Sequence, residues 1–227
     1  MQTLRLYTYC RSSAAFRVRI ALNIKAMTYQ SEFIHLLKDG GEQYSADYSA
    51  INPQRMVPVL CCGDDTVSQS LAIIEYLEEM QPRPALLPIA LQARAAVRAL
   101  ALSIACDIHP LDNLRVLRYL EHQLGLDKAE RERWYCHWLS EGLAALEVSL
   151  SAIRDRGQGA SSAPSYCYGT EPGLADICLI PQVYNALRFN CSLADCPIIQ
   201  QIYAHCMGLA VFQGAAPEQQ ADFVEVV

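Results

Sequence analysis

The stretch QPRPALLP (81–88) constrains this chain more than any other, because it holds three prolines in eight residues. Proline has no backbone N–H and its ring clashes with the preceding turn, so no helix propagates through it. It also separates two different periodicities. Before it, short apolar runs alternate with amphipathic ones, as in an α/β unit. LRLYTY (4–9), YQSEFIHL (29–36), VPVLCC (57–62) and TVSQ (66–69) read as strands. AFRVRIALNIKA (15–26), with Phe16, Ile20 and Asn23–Ile24 at helical spacing, and SLAIIEYLEEM (70–80) read as helices. Residues 38–55 combine turn residues with a short helix. Beyond the prolines the pattern is helical over about 90–120, 127–154, 174–189 and 197–208, with RDRGQGASSAPS (154–165) as a solvated loop. The expected architecture is a small α/β domain over 1–82 and a larger all-helical domain over 88–227.

Charge and cysteine usage narrow the function classes. The net charge is −6, and the 18 basic residues are scattered, so no electrostatic footprint for nucleic acid is present. MQTLRLYTY lacks a basic leader with a long apolar core, and no uncharged run approaches the ~20 apolar residues of a membrane span. Ten cysteines are spread without C-x-x-C pairs or matched histidine spacing, which predicts reduced, mostly buried thiols in a cytoplasm and no metal site.

RSSAAFRVRI (11–20) places two hydroxyls at a strand-to-helix corner. A helix N-terminus carries about four unpaired N–H groups and roughly half a positive charge. One serine can cap the helix while the second beside it donates its O–H outward, an arrangement that lowers the pKa of a bound thiol. Two other features accompany it. Val57-Pro58 stands immediately before a strand, where a cis bond would turn the Val57 backbone toward an extended peptide. Gln69 and Ser70 open another helix, whose N-terminus suits a carboxylate. Taken singly, these are ordinary caps and an ordinary edge proline. Together they describe a pocket for a small cysteine-containing peptide.

With these residues, YCRSSAAFRVRIALN (9–23), LLKDGGEQYS (36–45), NPQRMVPVL (52–60), QSLAIIEYLEE (69–79), DIHPLDNLRVL (107–117) and ADICLIPQVYNALRF (175–189), the chain resembles the glutathione transferases, specifically their zeta class. The resemblance implies a thioredoxin-like α/β N-terminal domain, an all-α C-terminal domain, glutathione as cofactor and a homodimer. It places Ser12 on the glutathione thiolate, with Ser13 beside it. It further places Gln43 at the glycyl end, Val57 on the cysteinyl backbone, and Gln69 with Ser70 on the γ-glutamyl carboxylate. His109, Asn113, Leu114 and Arg115 occupy positions that face glutathione in similar chains, and Arg11 and Arg188 match positions that receive carboxylates of an acidic substrate. The implied reaction is cis–trans isomerisation of a small acidic diketo acid, maleylacetoacetate to fumarylacetoacetate, in tyrosine and phenylalanine catabolism. Isomerisation of maleylpyruvate and transfer of glutathione to electrophiles such as α-haloacids are the alternatives.

Two positions depart from the family pattern. Ala14 stands where many zeta chains have Cys, so the corner offers no thiol of its own there, and the reach of nearby Cys10 is open. Gly173 stands where similar chains carry Ser or Thr, which predicts a slightly looser start to the following helix.

Overall fold

The computed structural model describes residues 3–156 and 166–224. Of the loop expected at 154–165, residues 157–165 lie outside the described residues. The chain forms two compact units, Met1–Ala85 with Leu209–Val227, and Leu86–Gly208. The division falls within the proline stretch, but the C-terminal segment groups with the first unit instead of with the helical one. The physical reason is local: Asn23 donates to the Val211 carbonyl at 3.0 Å and Arg19 to the Ala215 carbonyl at 2.9 Å, so the segment is bonded to the first helix.

In the first unit, β1 (Leu4–Thr8), α1 (Ser13–Ile24), β2 (Tyr29–Phe33), α2 (Ala46–Ile51), β3 (Val59–Cys62), β4 (Asp65–Ser68) and α3 (Ser70–Met80) follow in order. The sheet order is β2-β1-β3-β4. β1 runs parallel to β2, with Leu4 opposite Tyr29, and antiparallel to β3, with Leu6 opposite Leu60. The parallel pair requires a crossover, and α1 supplies it. One helix face cannot explain α1, since Phe16, Val18, Ile20, Ala21 and Leu22 are all buried, as are Arg17 and Arg19. Lys25 after α1 is buried too; its ammonium meets Glu78 Oε2 at 2.7 Å and the carbonyls of Gln81 and Pro84. Arg19 and Lys25 thus have carbonyl, hydroxyl or carboxylate partners, the condition under which burial of charge is tolerated.

In the second unit, the single helix expected over 90–120 is interrupted. α4 (Leu91–Leu102) passes into a π turn (Ser103–Ile108) and a 3₁₀ turn (His109–Asp112), and α5 (Leu114–His122) starts afresh behind Asn113. Pro110 forbids the regular ladder here. α6 (Lys128–Asp155) opens with a capping box in which Asp127 accepts from Glu130 N at 2.8 Å and Glu130 accepts from Asp127 N at 2.9 Å. α7 (Leu174–Arg188) is buried along most of its length, and α8 (Pro197–Met207) follows. Glu147 of α6 accepts from Ile198 N and Ile199 N at 2.7 and 3.0 Å, capping α8 from a neighbouring helix. No described helix is long and apolar enough to cross a membrane.

Gly173 is not a loose cap. A Cβ built there would lie 2.9 Å from the Leu86 carbonyl oxygen, which accepts from Leu174 N at 2.9 Å. The close approach of that carbonyl requires the missing side chain. Buried Asp176 supplies the cap instead, accepting from Gly173 N at 2.8 Å and Cys167 N at 2.7 Å.

The cysteines follow the expected pattern except for one pair. Eight are free thiols, whereas Cys136 of α6 and Cys191 after α7 form a disulfide, their Cα atoms 5.3 Å apart across 55 residues of sequence. Spacing along a chain says nothing about such proximity.

Candidate active site

In the first unit the corner after β1 is built as its sequence requires. Ser12 caps α1, its hydroxyl accepting from Ala15 N at 3.2 Å. Its carbonyl takes the first helical bond from Phe16 N, and its own N–H goes to the Tyr9 carbonyl. The backbone of Ser12 is thereby fixed, while its half-buried hydroxyl retains a proton to donate. Ser13 is the first residue of α1 and is buried.

Behind this corner lie groups that sequence periodicity did not reveal. Arg19, fully buried, donates through Nη1 to Thr8 Oγ1 at 3.0 Å and the Tyr9 carbonyl at 3.3 Å, and through Nη2 to the Cys10 carbonyl at 2.9 Å. With its Nε on Ala215, one guanidinium joins the end of β1, the corner and the C-terminal segment. Burial lowers its pKa from 12.5 to about 10. Asp222 adds a second tie, its carboxylate accepting from Cys10 N at 2.8 Å. The Cys10 thiol is buried and its pKa is pushed up to about 11, first by burial and then by the charge of Asp222. Arg11 donates to the Val224 carbonyl at 2.7 Å, with its guanidinium 5.4 Å from the centre of the Phe223 ring.

The other first-unit candidates lie on separate loops. The Val57-Pro58 peptide is cis, and Val57 stands two residues before the β3 ladder begins at Val59. Gln69 precedes α3 with φ of 72° and ψ of 121°, a conformation costing a non-glycine residue about 1–3 kcal/mol and concentrated at functional sites. Its amide donates to Gln54 Oε1 at 2.8 Å. Ser70, buried at the start of α3, receives Arg17 Nη1 at 3.4 Å, so the two helix starts are linked through α1. Gln43 is buried rather than solvated, and its amide donates to the Leu36 carbonyl at 3.3 Å. A Cβ at Gly41 would displace the end of that side chain, and it is the φ of 118° that requires glycine there.

In the second unit, His109 opens the 3₁₀ turn and Asn113 caps α5 by accepting from Arg115 N at 3.0 Å. Leu114 is half-buried and Arg115 exposed. Asn113, Leu114 and Arg115 are consecutive, and His109 precedes them by four residues. Arg188 is the last residue of α7, its guanidinium 4.7 Å from the centre of the Phe189 ring and hydrogen-bonded to Tyr135.

The corner, the Val57-Pro58 bond and the helix start at Ser70 all fall within one stretch that matches a known family model. Residues 11–80 match the family model of the glutathione S-transferase N-terminal domain. The chain is 48% identical to a probable maleylacetoacetate isomerase of Vibrio cholerae serotype O1, over 98% of this chain and 99% of that one. It superposes with a TM-score of 0.90, at 42% identity, on the holo structure of a maleylpyruvate isomerase described as a bacterial zeta-class glutathione S-transferase, covering 97% of this chain and all of that one. The chain belongs to the zeta-class glutathione transferase family. A further solved structure, maleylacetoacetate isomerase of Methylobacterium extorquens AM1 with bound malonate and glutathione, superposes with a TM-score of 0.87 at 37% identity, over 95% and 97% of the two chains. In this zeta-class chain the thioredoxin-like unit is the four-stranded sheet with its helices, and the remaining unit is helical.

Proposed function

We propose that this protein is a glutathione-dependent cis–trans isomerase that converts maleylacetoacetate to fumarylacetoacetate in aromatic amino-acid catabolism. The observation that carries the reading is Ser12: a helix-capping hydroxyl with its backbone fixed and a proton still to donate. Glutathione suits the chain's own groups. Ser12 offers a donor to a sulfur anion at the positive end of a 12-residue helix. Val57 stands outside its ladder, where its backbone would pair with a cysteinyl residue. Gln69 and Ser70 at the start of α3 would take the γ-glutamyl carboxylate. Ser13, Gln43, His109, Asn113, Leu114 and Arg115 complete the proposed contacts.

When bound, glutathione would supply the thiol nucleophile, whose reversible addition to a conjugated cis double bond would ease rotation about it. The Ser12 hydroxyl holds the sulfur as an anion by donating its proton toward it. Arg11 and Arg188 are the proposed partners of the substrate carboxylates, since a guanidinium fork matches a carboxylate bidentately. Maleylpyruvate is the second reading, favoured by the 0.90 superposition on a maleylpyruvate isomerase. We place the protein in a reducing cytoplasm on its eight free thiols, against which the single Cys136–Cys191 disulfide counts. We also take it to be a homodimer, in which a second copy covers apolar side chains such as exposed Leu91 and Val148.

The test follows cis-isomer absorbance with each substrate, with and without glutathione, alongside a thiol assay. Glutathione-dependent loss of the cis isomer without thiol consumption is expected, and the faster substrate names the physiological one. Net thiol consumption would move the function to conjugation, and no turnover of either diacid would refute the isomerase.

A further inference from the structure

The helical unit contains a buried polar chain that none of the proposed glutathione contacts uses. Asp112, the last residue of the 3₁₀ turn, is 7% exposed, and Gln182 of α7 is fully buried. Gln182 Nε2 donates to Asp112 Oδ2 at 3.4 Å. The remaining oxygens of the same two side chains, Asp112 Oδ1 and Gln182 Oε1, are both buried with no hydrogen-bond donor among the described residues. Two buried acceptors on one bonded pair of side chains are costly, and a single proton resolves both. A carboxylic acid facing a carboxamide forms a two-bond ring: the acid accepts from the amide N–H and donates its O–H to the amide oxygen.

The pair sits at one end of a longer array. Gln182 and Asn185, and Asn185 and Arg188, are each three residues apart and so are neighbours on the surface of α7. Tyr135 of α6 is hydrogen-bonded to both Asn185 and Arg188 and lies within electrostatic reach of Asp112. Tyr135 also stacks on Phe189 with ring centres 3.9 Å apart.

We propose that Asp112 is a positioning residue: as a neutral acid it locks Gln182, and through the adjoining Asn185 and Tyr135, which bonds both Asn185 and Arg188, it fixes the orientation of Arg188. Arg188 is the group that meets a substrate carboxylate in the function proposed above, on which this inference rests. Burial supports the neutral form, raising the Asp112 carboxyl from 3.8 to about 8. Tyr135 from α6, and Arg188 beyond it on α7, are the titratable and charged groups on that side. No charge from the π turn, α5, α6 or α7 contributes to the shift, which desolvation alone produces. Above that pH the acid ionises, the ring loses its O–H donor, and two acceptors face each other in a dry site.

The experiment uses the full chain with Asp112→Asn and Asp112→Leu. Asn preserves both bonds of the ring without a titratable proton; Leu removes them. The first readout is the infrared carboxylic-acid band at neutral pH, taken as the difference between wild type and Asp112→Asn, which reports the proton whatever the enzyme catalyses. The second is affinity for malonate in the presence of glutathione, by calorimetry across the pH range around 8. We expect the band to be lost in step with a malonate affinity that falls about five- to tenfold in the wild type, roughly the value of one buried hydrogen bond. Asp112→Asn holds the low-pH affinity throughout, and Asp112→Leu is weak at every pH. Absence of the band at neutral pH overturns the protonation. A band that titrates while wild type and Asp112→Asn bind malonate identically overturns the positioning role. Failure of the isomerase reading alone would show in turnover and leave both readouts in place.

Discussion

Replacing Arg19 with Met tests whether the buried guanidinium holds the corner together. The substitution keeps the apolar stem and deletes the donors. The Tyr9 carbonyl keeps its bond from Ser12 N, so three acceptors are orphaned: the carbonyls of Cys10 and Ala215 and the hydroxyl of Thr8. At about 1–3 kcal/mol for each buried unmade bond, the gross loss is about 3–9 kcal/mol. Against this stands the desolvation of the cation. A pKa lowered from 12.5 to about 10 corresponds to about 3 kcal/mol that disappears with the charge. The acceptors win, and the net destabilisation is about 3 kcal/mol. With a urea slope of about 2 kcal/mol/M, the unfolding midpoint of the first unit falls by about 1.5 M. Far-UV circular dichroism reads the transition, while fluorescence of Trp134 and Trp138, the chain's two tryptophans, reads the second unit separately. Arg19→Lys, with one ammonium for acceptors spread around a fork, should fall between. A midpoint for Arg19→Met within about 0.3 M of the wild type would show that the carbonyls find other donors and that the bracing role is wrong.

Other perturbations have effects that can be worked in the same way. Ser12→Ala should reduce glutathione-dependent turnover by about 10²–10³-fold, the loss typical of one preorganised donor, while the missing cap costs only about 1 kcal/mol; a melting temperature that collapses along with turnover would assign the loss to unfolding. Glu147→Gln weakens the cap on α8 and should destabilise the second unit by about 1–2 kcal/mol, read from tryptophan fluorescence in urea. Gly173→Ala should cost about 1–3 kcal/mol because its Cβ meets the Leu86 carbonyl at 2.9 Å; a stabilised variant would contradict this. Burial raises Asp176 from 3.8 to about 6, so between those pH values the folded state holds a proton that the unfolded state has released. Its contribution therefore falls as pH rises, by about 1.4 kcal/mol per pH unit, and is constant above about 6. Unfolding free energies measured across that range should show this slope in the wild type and lack it in Asp176→Asn.

The parts of this protein legible in its sequence are those fixed by neighbouring residues. The cap at Ser12, the helix start at Ser70 and the sheet's alternating runs depend on bonds a few residues long. The break at Pro110 was also written there, since proline lacks the needed N–H, yet the helical periodicity on either side masked it. What periodicity misjudges is a helix covered on several sides. Arg17 and Arg19 fall among apolar neighbours on α1, and a two-faced helix would have exposed them. They are buried because α3 and the C-terminal segment both pack against α1, and the docking of residues 209–224 is a contact of nearly 200 residues' separation. The Cys136–Cys191 bond and the Asp112–Gln182 pair are hidden for the same reason: each joins elements whose meeting is decided by packing.

The corner also bears on whether the chain uses its own sulfur. Two groups stand close together in sequence, Cys10 and Ser12, and their surroundings treat them oppositely. Cys10 is buried, its N–H is held by the Asp222 carboxylate, and its thiol is pushed up to about 11 by burial and then by that charge. At neutral pH only about one molecule in ten thousand would carry the thiolate, which is the reactive form. Ser12, by contrast, stands at the positive end of α1 with a hydroxyl that can donate. A site that suppresses a resident thiol while offering a donor to an anion is suited to a sulfur brought in from outside. Cys10→Ala should therefore leave glutathione-dependent isomerisation within about twofold of wild type, since it removes a small buried group and one weak S–H contact. Abolished turnover, with the melting temperature unchanged, would mean that Cys10 reacts and that this protein works as a thiol oxidoreductase.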